Sequence, residues 1–160
     1  FNRRGVRYVV IGMAGINYYA SSPADTFATV DYDVFVEPTL PNVDKALQGL
    51  RSLGFTIGTA EGALTSKDLR VVVHNRRTFV ATTSDGLMIE LLLQVSGYPF
   101  SAMAEDAATV TIRGVPVRVG RLPKLLRSKQ LAGRPKDRQF LKRYESLLRS
   151  SKPSRTRTRR

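Results

Sequence analysis

The sequence predicts an α+β fold: a mixed, twisted β-sheet flanked by helices, with a helical C-terminal part packed against it. Three observations carry that expectation. Short β-branched and aromatic runs of strand length recur as far as Val119, separated by Gly, Pro, Asn and Asp. Between and after them lie stretches whose apolar residues fall at three- and four-residue spacing. The chain has 160 residues and 42% hydrophobic content, enough for one domain with a real core and too apolar for a disordered one. Residues 1–150 read as a single domain, helical from 121, and 151–160 as a basic disordered tail.

Val6–Ile11 is an apolar run ended by Gly12, which predicts a buried strand. Ala14–Ala20 reads as a short helix and Ser21–Asp25 as a loop. Thr29–Val36 is a second strand, stopped by Glu37-Pro38. In Pro41–Leu53, Val43, Ala46, Leu47, Leu50 and Leu53 recur at helical spacing, and Gly54 sits just past the end. Phe55–Ile57 is a brief strand, and 58–68 a connection containing Gly and Thr. Leu69–His74, Thr78–Ala81 and Leu87–Gln94 predict three strands in a meander. Ser101–Ala107 predicts a short helix. Thr109–Ile112 and Val115–Val119 predict a hairpin across Arg113-Gly114. Leu122–Leu131 predicts a helix ended by Gly133-Arg134-Pro135. A last helix runs from about Lys136 to Leu148, with Phe140, Leu141, Tyr144, Leu147 and Leu148 on its apolar stripe.

Composition narrows the function classes. With no cysteine there is no disulfide framework and no thiolate zinc site, which fits a cytoplasmic setting. The lone His74 rules out a multi-histidine metal site. No apolar run approaches the roughly 20 residues of a membrane span, and no secretory signal is visible. The chain opens on Phe1 rather than Met, as a chain lacking some of its native N-terminus would. The formal net charge is +13, and most of the excess lies in the last quarter. Residues 121–148 hold nine basic side chains against Asp137 and Glu145, and 149–160 hold six with no acid. Such a flank points to a polyanionic partner, most simply RNA or DNA; a solubilising tail is the plainer alternative.

The chemistry centres on Asp31 and Asp33. Strand side chains alternate, so the two carboxylates share a face, repel each other and call for a cation between them. Hard oxygen ligands suit Mg²⁺ or Mn²⁺. An edge strand with one wet face is the alternative. Glu90 interrupts Leu87–Leu93, where a carboxylate is costly to bury without a partner. If its strand lies beside Asp31 and Asp33, three carboxylates converge as in two-metal phosphoryl transfer; otherwise an arginine pairs with it. Ile11-Gly12-Met13-Ala14 joins a strand to a helix, where a glycine lets backbone approach a phosphate.

This order of pieces resembles the nucleotidyltransferase superfamily, the fold of the polymerase β palm. Gly12 takes the place of that pattern's first glycine, Met13 that of its second small residue, and Asp31 and Asp33 its acidic places. Gly97-Tyr98-Pro99-Phe100, the hairpin to Val119, and the run from Leu125 through Lys129 to Arg134-Pro135-Lys136-Asp137 resemble the small bacterial members. Those include the nucleotidyltransferase toxins of abortive-infection and toxin–antitoxin systems. The resemblance covers about residues 5–148. It implies transfer of NMP from an NTP to a hydroxyl, with RNA or tRNA as acceptor and an antitoxin protein as a further partner. It implies that Asp31, Asp33 and Glu90 hold the metals, that Lys129 contacts the triphosphate, that Arg134 and Lys136 hold phosphate, and that Asp137 orients Lys129 or the hydroxyl. Lys129 and Lys136 as surface cations, and Asp137 as a helix-start residue, are the plainer alternatives. Met13 leaves open a degenerate member that binds RNA or protein without catalysis. A third reading keeps the fold and modifies a small molecule, such as an aminoglycoside, or a protein hydroxyl.

Overall fold

The computed structural model describes residues 1–60, 62–63 and 69–150. Eight strands form one mixed sheet in the order β4-β3-β5-β6-β2-β1-β8-β7. They are β1 (Tyr8–Val10), β2 (Asp31–Val36), β3 (Thr56–Thr59), β4 (Gly62–Ala63), β5 (Phe79–Thr82), β6 (Met88–Leu92), β7 (Ala108–Ile112) and β8 (Val115–Val119). The pairs β2/β6 and β1/β8 are parallel; the other neighbours are antiparallel. The helices are α1 (Gly12–Asn17), α2 (Leu40–Arg51), α3 (Leu69–His74), α4 (Phe100–Glu105), α5 (Leu122–Ala132) and α6 (Pro135–Ser150). The expected α+β sheet flanked by helices is therefore present. The predicted tail from Lys152 lies outside the described residues, and Leu147 and Leu148 outside the described side chains.

Strand alternation separates two hydrophobic layers. On one face Tyr8, Val10, Val34 and Val36 pack with Val43, Leu47 and Leu50 of α2 and with Phe79 and Leu91. On the other, Val9 and Phe35 pack with Phe100 and Met103 of α4, Leu125 of α5 and Phe140 of α6. The Phe35 and Phe100 rings meet edge to face at 5.3 Å, a favoured aromatic geometry. Asn42, buried at the start of α2, ties the ends of β1 and β2 together. Its amide donates to the carbonyls of Arg7 and Glu37 and accepts from the Arg7 N–H.

Two local expectations are corrected. Leu69–His74 is not a strand but helix α3. Val72 and Val73 are buried and Leu69 half-buried against the core, whereas Val71 is 56% exposed. That is a three-and-four spacing, not a two-residue alternation. A valine costs a helix well under 1 kcal/mol relative to alanine. Burying one side chain returns roughly 1.5–3 kcal/mol, so packing overrides propensity. The predicted meander thus shrinks to the β5/β6 hairpin, and the third strand beside it is β3. Helix α1 also begins at Gly12 and ends at Asn17, short of Ala20. Asn17 turns its side chain to the loop, accepting from the Phe27 N–H at 2.9 Å and donating to the Phe27 carbonyl at 2.8 Å.

Candidate functional site

The parallel register of β2 and β6 sets Asp33 beside Glu90 and Asp31 beside Met88. Asp31, Asp33 and Glu90 consequently meet on one face. Each is half-buried and offers a carboxylate oxygen, and the three atoms lie within 4.8 Å of one another. The Thr29 hydroxyl donates to Asp31 Oδ1 at 2.8 Å and steadies that carboxylate. The Ile11 N–H donates to the Asp33 carbonyl at 2.9 Å and fixes the backbone beneath it.

Gly12 owes its identity to this cluster. Its φ is +63°, and a Cβ built on it would stand 1.8 Å from Asp33 Oδ2. Burial first, then the Asp31 and Glu90 carboxylates, push Asp33 up to about 6, against the opposing pull of Lys129 and Lys136. The donor set is all hard oxygen, with no competing nitrogen or sulfur. Mg²⁺ holds its oxygens at about 2.0–2.1 Å, so opposite ligands stand about 4.2 Å apart. The oxygens of the trio, within 4.8 Å of one another, are close to that spacing and of the donor type a divalent cation takes.

The facing wall comes from α5 and α6. Asp137 is 1% exposed and sits between two cations. Lys129 Nζ approaches Asp137 Oδ1 at 3.1 Å, and Arg134 Nε donates to Oδ2 at 2.7 Å. Burial alone would raise the Asp137 carboxyl; the hydrogen bonds from Arg134 and Lys129 outweigh it and hold it below the usual range. Lys129 also lies over the Phe140 ring, 5.4 Å from its centroid. Lys136 is exposed on the same wall.

Between the walls lies a cleft of about 810 Å³. Every residue singled out in the sequence lines it: Gly12 and Met13, the trio Asp31, Asp33 and Glu90, and Lys129, Arg134, Lys136 and Asp137. Sequence reasoning missed four polar lining residues, Thr29, Gln94, Ser96 and Ser128. Gln94 had a readable signal, since Glu90, Leu92 and Gln94 follow the strand period. No helix among the described residues is long and apolar enough to cross a membrane. A scan against protein-family models and a search of curated proteins find no match to this chain.

Proposed function

We propose that this protein is a metal-dependent nucleotidyltransferase with a polymerase β-like palm, moving NMP from an NTP to a hydroxyl, most simply of RNA or tRNA. One observation carries the reading: the three carboxylates on β2 and β6 face the Lys129–Asp137–Arg134 wall across one cleft. A triphosphate needs both charge signs in that arrangement, cations for its β- and γ-oxygens and acids for its counter-ions.

Asp31, Asp33 and Glu90 would hold Mg²⁺ or Mn²⁺, which supplies charge neutralisation and a lowered pKa for the attacking hydroxyl. Lys129 and Arg134, held by Asp137, grip the phosphates, with Lys136 at the cleft edge. The acceptor oxygen forms a bond to the α-phosphorus, the bond to the β-phosphate oxygen breaks, and pyrophosphate leaves. Glu90 serves as the third ligand or as the base that takes the hydroxyl proton. The basic C-terminal quarter supports RNA as the acceptor class.

The testing experiment incubates the protein with each labelled NTP, Mg²⁺ or Mn²⁺, and total RNA. Label should move to a discrete RNA species and vanish with Asp33→Asn. Unchanged turnover in that variant removes the proposal. Met13 favours a second reading, a member that binds without catalysis, because its side chain lines the cleft where a smaller one leaves the backbone open. The absence of any metal-dependent thermal shift with every NTP would favour it.

A further inference from the structure

We propose that β7 is a self-association edge, through which two copies of this chain pair antiparallel about Val110. The inference is independent of the reaction proposed above. Strand β7 closes the sheet at one end, and no strand pairs with its outer side among the described residues. Its sequence, Ala108-Thr109-Val110-Thr111-Ile112, has no charge and no proline, the devices that usually blunt an edge.

The hairpin register shows which backbone groups face outward. Arg113 and Gly114, both at positive φ, form a two-residue turn, with Ile112 opposite Val115 and Thr111 opposite Pro116. Hydrogen-bonded and non-hydrogen-bonded pairs alternate from there. Pro116 points its carbonyl away from β7, where Asn2 Nδ2 donates to it at 2.6 Å. By the same alternation Arg118, two residues further on, also turns its backbone groups away from β7. Thr111 and Thr109, their partners, therefore aim N–H and C=O outward, while Val110 spends its own on Val117.

The strand is self-complementary in that register. An axis at Val110 sets Thr109 against the partner's Thr111 as a hydrogen-bonded pair, and the reciprocal pair forms by symmetry. On one face Val110 meets the partner's Val110, and Ile112 meets the partner's Ala108. On the other, threonine meets threonine. The threonine pairs are favourable cross-strand pairs, and the apolar residues meet apolar ones. A second copy satisfies backbone and side-chain matching together.

Sedimentation of the full chain from about 1 to about 200 µM, the range in which a small interface saturates, tests it. The mass should rise from one chain toward two. Thr109→Pro with Thr111→Pro removes only outward N–H groups and should weaken association at least about tenfold. Should those prolines unfold the hairpin, Thr109→Lys with Thr111→Lys changes exposed side chains alone and should give the same loss by like-charge repulsion. Amide exchange at Thr109 and Thr111 should slow with concentration while that of Val110 stays constant. A chain that stays monomeric throughout, or a dimer indifferent to the lysine pair, overturns the proposal.

Discussion

Gly12 and Asp33 compete for one volume: a Cβ on the glycine would stand 1.8 Å from Asp33 Oδ2. The first residue of α1 is therefore chosen by a side chain on β2. Strand–glycine–helix and Asp-x-Asp are one structural unit here, joined by contact as well as by order.

Gly12→Ala should consequently damage both fold and site. The positive φ and the overlap together cost on the order of 2–4 kcal/mol. Urea denaturation should show that loss, and a Mn²⁺ titration should show weaker binding because Asp33 must rotate away. Unaltered stability and Mn²⁺ affinity would refute the packing argument.

Asp33→Asn should stabilise the metal-free protein while abolishing transfer. The folded carboxyl lies at about 6, above its ordinary 3.8. Below that lower value it is protonated in both states and costs nothing. Between the two values the unfolded state ionises first, so stability falls as pH rises, and the loss is complete above about 6. The variant should gain on the order of 2–3 kcal/mol at pH 7, and this gain should disappear below about pH 4. Paired melts across that range, without metal, check the sign.

Asp137→Asn should be costly. It leaves Lys129, whose side chain is 14% exposed, without its buried counter-charge. Arg134 is 59% exposed and loses less to solvent screening. Removing one member of a buried pair typically costs about 3 kcal/mol, so a clear fall in melting temperature is expected. NTP affinity should fall with it, whereas Mn²⁺ affinity at the carboxylate trio should stay near wild type. Equal loss of both would mean that the two walls are one energetic unit.

Removing residues 151–160 takes away five cations. RNA affinity should weaken and become less salt-sensitive, by about 0.7 in log–log slope for each phosphate no longer neutralised. NTP-dependent thermal shifts should not change. A filter-binding salt series and a melt series separate the two effects.

Much of the site is legible in the sequence because its parts obey local rules. Strand alternation is enough to put Asp31 and Asp33 on one side. A lone acid in Leu87–Leu93 is anomalous in any fold, and Gly133-Arg134-Pro135 marks a helix boundary whatever packs on it. Leu69–His74 reads wrongly as a strand because three consecutive valines carry a strand propensity that only the packing of Val72 and Val73 overrules.

By itself, then, the chain determined which residues carry charge, which runs alternate and where the turns fall, since those depend on neighbours a few positions away. Only the tertiary structure decided that β6 runs parallel to β2 with Glu90 level with Asp33, and that Asp137 is buried between Lys129 and Arg134. Strand register and helix docking join residues far apart in sequence. They are selected by which arrangement buries both faces of the sheet, and no local pattern contains that sum.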